Sequence, residues 1–462
     1  MIFLKTYNFN THYQYLKKLK KIPQKSEDVD ILLNPKDFFR SVMRIISNAK
    51  KRIYLTTLYL EKDFSGEKVL EEIYHIKYIN SSIEIAILVD WHRAKRNRVG
   101  SILVNNNRKI VTNLDWYLSM AKKYSHVDVP VYGVPVNIYE ALGVFHLKGF
   151  IVDDQVIYTG ANLNNMYFHQ FDKYRCDRYQ IIRNKYLADS FFEYINKRLL
   201  SSKVVHRINC FSDCTKKLKI NKNRIRMFRK HLKNSQYCYK GVLNSNTLSV
   251  IPLVGLGEKN ILNETIYHLI GSTKAIMTLC TPYFNFPKFL FKSVISLLHD
   301  GKIVEIIVGD KKANDFYVSS KEKSFGILRI IPYLYEMNLC NFVDRLQKYI
   351  DNGQLLVRVW KHKKNTYHVK GIWIDNVWYL STGNNFNSRS WRLDLENGIL
   401  FYDPNGVLRI KYEKELFLIR KNTKIIKDSS NFEGIQDYPI KIRRFIYRIC
   451  YIYIARLLKK IL

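Results

Sequence analysis

The sequence lacks the features of several common classes of protein. Its 462 residues include only seven cysteines, an odd number without C-x-x-C spacing, which argues against a zinc site and a disulfide scaffold. The N-terminal residues show no basic stretch followed by a long apolar run, so we expect no signal peptide. No stretch reaches the roughly 18 apolar residues of a membrane-spanning helix. We therefore expect a cytoplasmic protein in a reducing compartment.

Acidic residues are scarce relative to basic ones. The chain has 40 Asp and Glu against 76 Lys and Arg, a formal net charge of +36. Such a charge favours an anionic partner, either nucleic acid or an acidic membrane surface. However, only 19 Gly and 10 Pro, together with abundant Lys, Asn and Ile, are typical of a coding sequence that has drifted towards A and T. The net charge alone therefore does not identify the partner.

The most informative feature that is present is an internal repeat. Two strand-like apolar runs, residues 49–60 and 273–284, each follow an amphipathic helical stretch. A second strand-like run recurs at 83–90 and 303–310. Three pairs of landmarks lie 224, 220 and 222 positions apart, namely Tyr59 and Tyr283, Asp90 and Asp310, and His146 and His368. The near-constant offset indicates duplication, and the alternation of strands and helices predicts an α/β layered domain used twice.

The repeat predicts how the chain divides. We expect a first αβα domain over residues 1–202, a basic linker over 203–241 and a second αβα domain over 242–438, followed by a basic amphipathic segment over 439–462. Nine Lys or Arg lie between Lys216 and Lys233. The linker is therefore either a solvated connector or a segment that docks on anionic lipid.

Both halves carry the motif H-x-K-x4-D. Its members are His146, Lys148 and Asp153 in the first half, and His368, Lys370 and Asp375 in the second. On a strand, residues two apart point to the same side, so each histidine and lysine emerge together. The aspartate lies five residues further on, where we expect it to hold the structure rather than touch substrate. The two halves together would form one active site at their interface.

Two imidazoles and two ammonium groups around one cavity suit the chemistry of a phosphodiester. The lysines would hold the non-bridging oxygens and stabilise charge in the transition state. One imidazole would attack phosphorus while the other protonates the leaving oxygen, and the roles would reverse in a second step. Such a site requires neither a metal ion nor a cofactor.

This pair of motifs resembles the phospholipase D superfamily. Residues 145–154, 167–179 and 382–397 are similar to the bacterial phosphatidylserine synthases of that superfamily, and the similarity extends over nearly the whole chain. It implies transfer of a phosphatidyl group from CDP-diacylglycerol to L-serine, with release of CMP, through a phosphatidyl-histidine intermediate. By the family's pattern, His146 is the nucleophile and His368 is the general acid and then the base. The enzyme would visit the inner face of the cytoplasmic membrane as a peripheral protein.

Polar residues downstream of each motif are further candidates. The family's Gly-Ser-x-Asn turn is in register at Asn385, whereas Leu163 occupies the usual asparagine position of the first copy. Either Asn162 or Asn164 would then contact the phosphate. The candidate substrate-binding residues are Asn162, Asn164, Asn385, Asn387, Arg389 and Arg392, the arginines either binding diphosphate or bracing the fold.

An acidic residue follows each turn. Asp177 and Glu396 lie 31 and 28 residues after the histidine of their own half. Either carboxylate could accept a hydrogen bond from the far imidazole nitrogen and fix its tautomer, as in a catalytic triad. For Glu396 the alternative is a surface ion pair with Arg392.

The C-terminal residues 440–462 predict a basic amphipathic helix. All its basic residues except Arg443 fall within less than half of a helical wheel, opposite a largely apolar side. Such a helix is typical of a membrane-surface anchor. The alternative is a helix packed on the second domain.

Other functions remain open at this point. A cardiolipin synthase or a phospholipase D shares the motif pair and differs in the acceptor. A nuclease of the same superfamily would use the net charge to bind phosphates, although we expect no nucleic-acid partner. A membrane-binding scaffold with a dead site is disfavoured because both His-Lys pairs are intact. The oligomeric state is left open.

Overall fold

The computed structural model describes residues 9–96, 112–210, 221–317 and 327–451. The strands in these residues are β1 (Ile22–Pro23), β2 (Val29–Leu32), β3 (Arg52–Thr57), β4 (Glu84–Asp90), β5 (Val131–Val134), β6 (Gly149–Val152), β7 (Gln155–Thr159), β8 (Arg175–Cys176), β9 (Tyr179–Arg183), β10 (His206–Arg207), β11 (Ser249–Leu256), β12 (Ile276–Thr281), β13 (Ile303–Gly309), β14 (Leu355–Trp360), β15 (Thr366–Tyr367), β16 (Gly371–Ile374), β17 (Trp378–Thr382), β18 (Leu395–Tyr402) and β19 (Thr423–Ile426).

The α-helices of the same residues are Phe9–Lys18, Pro35–Ser47, Phe64–Ile79, Trp91–Lys95, Asn113–Lys123, Asn165–Phe168, Lys185–Tyr194, Lys222–Lys233, Ile261–Gly271, Lys288–His299, Ile331–Arg345, Gln347–Asp351, Ser388–Arg392, Arg409–Lys421 and Ile440–Tyr451. In the described part of the chain, no helix combines the length and apolar character that a membrane crossing needs.

Two large sheets repeat the same strand order. The first runs β10-β5-β4-β3-β6-β7-β9-β2, and the second runs β19-β14-β13-β12-β16-β17-β18-β11-β1. In each sheet three parallel strands, β3, β4 and β5 or β12, β13 and β14, stand beside an antiparallel meander. The predicted α/β fold with two homologous halves is confirmed.

The alternating side chains of each strand separate two cores. On β3, Ile53 and Leu55 pack outward under helices Pro35–Ser47 and Phe64–Ile79, whereas Tyr54 points into a core that both sheets share. The outer face of the second sheet is covered in the same way by other helices. Helices Lys185–Tyr194 and Arg409–Lys421 contribute to the shared core. Each sheet thus lies between helical layers, as the αβα prediction requires.

The predicted domain boundaries differ from the packing at two places. Residues 9–23 precede the first sheet in the chain but belong with the second, because Leu16 is buried in its outer core and β1 pairs with β11. Within 203–241, β10 extends the first sheet and helix Lys222–Lys233 is packed. Its apolar stripe, Ile225, Phe228 and Leu232, is buried in the shared core. That helix is more than a solvated connector, and residues 211–220 lie outside the described part.

The aspartate of each motif sits in a hairpin turn. Asp153 follows β6 and Asp375 follows β16, both with positive φ, 52° and 53°. Their carboxylates accept hydrogen bonds from the backbone N–H groups of residues 50–52 and 274–276, respectively. Both aspartates therefore fix the chain where it enters β3 or β12.

We predict that Asp153→Ala lowers the free energy of unfolding by about 1–3 kcal/mol, because it leaves backbone donors without their acceptor. Asp153→Asn should cost less, since it keeps one oxygen and tolerates a positive φ. Denaturant unfolding monitored by circular dichroism measures both changes.

The matched control is Asp154→Ala, which removes the ion pairs of an exposed carboxylate to Lys51 and Arg52 at 3.6 and 3.5 Å. Exposed pairs contribute about 1 kcal/mol at most. Equal losses from Asp153→Ala and Asp154→Ala would contradict the assigned role.

Candidate active site

The two halves exchange chain segments around the motif histidines. In one place Leu395 donates to the carbonyl of Val144 and accepts from the N–H of His146, both at 3.0 Å. In the other, β8 pairs in parallel with β15, and the N–H of His368 donates to the carbonyl of Cys176 at 2.8 Å. Each histidine is therefore held against backbone from the opposite half.

This exchange places a carboxylate beside each imidazole. The Nδ1 of His146 lies 2.8 Å from Oε2 of Glu396, and the Nδ1 of His368 lies 2.7 Å from Oδ2 of Asp177. In both pairs the carboxylate engages Nδ1, and Nε2 of His368 lies 3.3 Å from Nζ of Lys370. We call these two contacts the crossed pairs.

The crossed pairs show which histidine each carboxylate orients: Asp177 contacts His368 and Glu396 contacts His146, in each case across the two halves. Asp177 follows β8, which pairs with β15 of the second half, and Glu396 follows Leu395, whose backbone pairs with the segment around His146, so each carboxylate reaches the opposite motif. Spacing along one half could not show this. The alternative ion pair between Glu396 and Arg392 is not formed, because Arg392 contacts Glu258 at 2.5 Å.

Both motif lysines are buried in the same cluster. Lys148 donates to the side-chain oxygen of Asn162, and Lys370 lies 3.3 Å from Oδ2 of Asp177. Burial, reinforced by the charge of Lys370, lowers the pKa of Lys148 to about 7. Burial also lowers the pKa of Lys370 to about 8, although Asp177 opposes the shift. Two ammonium groups buried close together are stabilised by a bound anion.

The imidazoles are buried with the lysines. Burial and the charge of Lys148 hold the pKa of His146 well below its usual value, and Lys370 contributes as well. Burial and Lys370 lower the pKa of His368 to about 3. Lys370 lies against Gly160 and Lys148 lies against Gly383, each glycine belonging to the opposite half, so the two motifs form one site. At neutral pH both rings are uncharged.

The two carboxyl groups differ in charge. Burial raises the pKa of Glu396 to about 8, so this group carries a proton at neutral pH. Burial also works against the charge of Asp177, but Lys370 and His368 overcome it and lower the pKa of Asp177. The two crossed pairs thus have similar geometry, but Glu396 is neutral and Asp177 is charged.

A glycine makes room for each crossed pair. A Cβ atom on Gly160 would lie 2.8 Å from Oδ1 of Asp177 and 2.9 Å from Nζ of Lys370. A Cβ atom on Gly383 would lie 3.1 Å from Oε2 of Glu396 and 3.1 Å from Cγ of Lys148. The turns after both motifs therefore allow the backbone to approach the charged cluster closely.

The candidate asparagines occupy different environments. Asn162 joins the cluster through Lys148, whereas Asn164 caps helix Asn165–Phe168 and donates to Glu61 at 2.7 Å. Asn387 caps helix Ser388–Arg392. The carbonyl of Asn385 accepts from Thr281 at 2.6 Å. The structure thus brings Asn162 to the motif lysine and gives Asn164 and Asn387 local structural contacts.

The candidate arginines brace neighbouring segments. Arg389 donates to Asp394 at 3.1 Å and to the carbonyl of Glu140 at 2.9 Å. Arg392 faces Glu258. Asp153 and Asp375 lie in the hairpin turns already described and do not join the cluster.

Several residues of the site were absent from the candidates. Asn397 accepts from the N–H of Lys148 at 2.9 Å and donates to its carbonyl at 2.8 Å, which fixes the backbone of that lysine. The hydroxyl of Tyr167 lies 3.1 Å from Nδ1 of His368. The ring centroid of Tyr283 lies 6.1 Å from that of His368. Tyr283 was visible in the sequence as a landmark of the repeat, but its position beside the histidine was not.

The arrangement can carry out a two-step displacement at phosphorus. It offers two uncharged imidazoles with oriented Nδ1 atoms and two ammonium groups for a bound anion. Among the described residues, no group of three or more His, Cys, Asp or Glu side chains is placed to hold a metal ion.

Known proteins share this architecture. A family described as "Cardiolipin synthase, PLD-like domain" matches residues 42–199 and 266–416. A CDP-diacylglycerol–serine O-phosphatidyltransferase of Escherichia coli is 48% identical over 99% of this chain and 100% of its own length. One of Haemophilus influenzae is 43% identical over 97% of this chain and 98% of its own length. The crystal structure of phosphatidylserine synthase from Haemophilus influenzae matches with a TM-score of 0.93 at 41% identity, over 98% of this chain and 100% of that chain.

Proposed function

The chain belongs to the CDP-diacylglycerol–serine O-phosphatidyltransferases of the phospholipase D-like family, and we propose that it works through a phosphatidyl-histidine intermediate on His146. The substrates are CDP-diacylglycerol and L-serine, and the products are phosphatidylserine and CMP. The observation that carries the proposal is the presence of two oriented, uncharged imidazoles on either side of two buried ammonium groups.

In the first step, the Nε2 lone pair of His146 attacks the phosphorus that bears diacylglycerol. The bond from this phosphorus to the oxygen of CMP breaks, and the electron pair leaves with CMP. Lys148 and Lys370 hold the non-bridging oxygens, whose charge develops in the transition state. A bound diphosphate is an anion, so it favours the protonated form of His368, which can then donate a proton to the leaving oxygen.

In the second step, His368 in its neutral form accepts the proton of the serine hydroxyl. The serine oxygen attacks phosphorus, the phosphorus–nitrogen bond breaks, and its electron pair returns to His146. Glu396 and Asp177 keep the Nδ1 atoms engaged, so that Nε2 faces the substrate in both steps. Asn162 and Asn397 act as positioning residues for Lys148.

The lipid substrate requires contact with a membrane. Helix Ile440–Tyr451 buries Ile442 and Ile446 against the second half, near Ile330 and Tyr333. Its basic residues Lys441, Arg444 and Arg448 are exposed. The apolar face is thus occupied by the protein, and the basic face is free to meet anionic headgroups. The further basic residues Arg456, Lys459 and Lys460 lie outside the described residues.

The inner face of the cytoplasmic membrane is the location that fits this proposal. Cys176, Cys238, Cys280 and Cys340 form no disulfide, and free thiols persist in a reducing compartment. Attachment through exposed basic side chains is reversible and weakens with salt.

We predict that wild-type protein mixed with CDP-diacylglycerol in the absence of serine releases a burst of CMP and acquires a phosphatidyl group on His146. Serine then discharges the adduct and sustains CMP release. Mass spectrometry of the peptides after a rapid quench locates the adduct.

The control is His146→Ala, which should show neither burst nor adduct while it still binds liposomes. An adduct on His368 would reverse the assigned order, and CMP release without any adduct would favour direct displacement. Cleavage of DNA without serine-dependent CMP release would favour the rival nuclease.

We predict that the rate constant of the CMP burst falls as pH rises from about 6 to about 9. A lysine is charged below its pKa, and the lowered pKa values of Lys148, about 7, and Lys370, about 8, put the loss of both charges in this range. The histidines stay uncharged throughout the range, so they add no acidic limb to the free enzyme, whereas Glu396, with its pKa raised to about 8, loses its proton within it. Stopped-flow assays without serine avoid the titration of its amino group.

The matched variant is Lys148→Arg, whose guanidinium remains protonated. Its burst should be slower at neutral pH and should fall only with the second lysine, at higher pH. An unchanged alkaline limb in this variant would remove Lys148 from the explanation.

We predict that replacing Lys441, Arg444 and Arg448 together with glutamine weakens binding to anionic vesicles by roughly a hundredfold, at about 1 kcal/mol for each lost charge. Sedimentation with vesicles of increasing anionic lipid content measures the change. Glutamine at the exposed residues Lys68, Lys122 and Lys123 is the control. Equal weakening by both triple variants would mean that the net charge, and not this helix, governs attachment.

A further inference from the structure

A second group of polar side chains lies beside His368, and the transfer steps above do not use it. Arg175 lies 3.2 Å from the hydroxyl of Tyr167, which itself contacts His368. The same guanidinium lies 3.4 Å from Oδ2 of Asp315. The hydroxyl of Tyr283 donates to Oδ1 of Asp315 at 2.7 Å. Opposite charges therefore stand next to each other within reach of the second motif.

Asp315 differs from the other carboxylates of the site in its access to solvent. Its side chain is 23% exposed, whereas those of Asp177 and Glu396 are 1% exposed and that of Asp394 is 7% exposed. Asp315 does not cap a helix, and none of the contacts given above joins it to a motif lysine. A ligand that enters the site can reach this carboxylate.

The charge of Asp315 is unusual for this position. Burial opposes its ionisation, but Arg175 and His368 outweigh burial and lower the pKa of this carboxyl. The site otherwise gathers cations around an anionic diphosphate. A carboxylate repels that substrate, and its partly exposed side suits a ligand with a positive group that can share it with Arg175.

The two halves differ at this place although their crossed pairs match. Arg175 precedes Asp177 by two residues, and Asp394 precedes Glu396 by two residues. The same position thus carries a cation beside His368 and an anion beside His146. Asp394 is engaged by Arg389 at 3.1 Å and by the N–H of Val144 at 3.0 Å. Beside His368, in contrast, the buried Arg175 is paired with a partly exposed carboxylate, that of Asp315.

We propose that Asp315 and Arg175 form the subsite for a zwitterionic amino acid acceptor, with the ammonium group on Asp315 and the carboxylate on Arg175. This inference rests on the proposed function, in which His368 accepts the proton of the acceptor hydroxyl. A zwitterion replaces the existing ion pair with two new ones, so no charge is left unpaired. The acceptor hydroxyl then lies towards His368, and Tyr283 orients Asp315.

The test is Asp315→Asn, which keeps the shape of the side chain and removes its charge. The KM for serine should rise at least about tenfold, as expected for loss of a charge-assisted hydrogen bond. The CMP burst without serine should fall much less than the serine reaction, because the first step does not bind the acceptor and Asp315 enters it only through its charge near His368. The retained burst also shows that the variant is folded.

Acceptor analogues separate the two charges. 3-Hydroxypropionate lacks the ammonium group, so its inhibition constant against serine should change less than about twofold in Asp315→Asn. Serine methyl ester lacks the carboxylate, so Arg175→Lys should weaken serine more than the ester. The surface substitution Asp344→Asn, on helix Ile331–Arg345, is the charge-matched control and should leave every constant unchanged.

The outcomes distinguish the subsite from the proposed function. If wild-type protein shows no serine-dependent CMP release, the proposed function fails, and the subsite fails with it. If wild type is active and Asp315→Asn keeps its KM for serine, the subsite alone is wrong. A burst that falls in proportion to the serine reaction, or equal weakening of serine and 3-hydroxypropionate, also overturns it.

Discussion

Each motif histidine depends on a carboxylate from the opposite half of the chain. Because His146 binds Glu396 and His368 binds Asp177, neither half contains a complete histidine–carboxylate pair. The ladder between β8 and β15 and the backbone contacts of Leu395 hold the exchange in place. The imidazoles are thus oriented only when the two sheets pack together, so the shared core that joins the sheets also holds the site.

The crossed pairs also explain why charged groups can be buried there. Lys148 and Lys370 are nearly inaccessible, and an uncompensated buried charge is costly. Asp177 and the polar oxygen of Asn162 offset part of that cost, and the lowered lysine pKa values express the remainder. An anionic substrate offsets the cost of the buried charges further. Burial therefore destabilises the ammonium groups of the empty site and strengthens their attraction for a bound phosphate. Small residues at the turns permit this close approach.

The sequence predicted what depends on local pattern and repetition. Strand-like runs at a constant offset indicated two equal halves, and the motif spacing indicated which side chains share a face. It could not predict the exchange of Asp177 and Glu396, since residue spacing within one half says nothing about which half lies opposite. Residues 9–23 pack with the second sheet although the predicted first domain included them, because the order of elements along the chain does not show which sheet a segment joins. Asp315 follows β13 in a segment without a distinctive pattern, so only its contact with Arg175 draws attention to it.

Duplication explains a further property of the site. The motif histidines and lysines are equivalent in the two halves, whereas the residues next to the crossed pairs are not. In the proposed mechanism the two chemical steps are near mirror images at phosphorus, so equivalent histidines and lysines suit both. The groups exchanged in these steps are not equivalent, because one is a nucleotide anion and the other is an amino acid. Residues that flank the crossed pairs have accordingly diverged, with Arg175 opposite in charge to Asp394, and Arg178 standing where the other half has Asn397. Arg178 is held by Glu415 in the shared core, whereas Asn397 holds the backbone of Lys148. The two halves thus share the geometry of the histidines and lysines. They differ in the neighbouring contacts, which would distinguish the nucleotide from the amino acid.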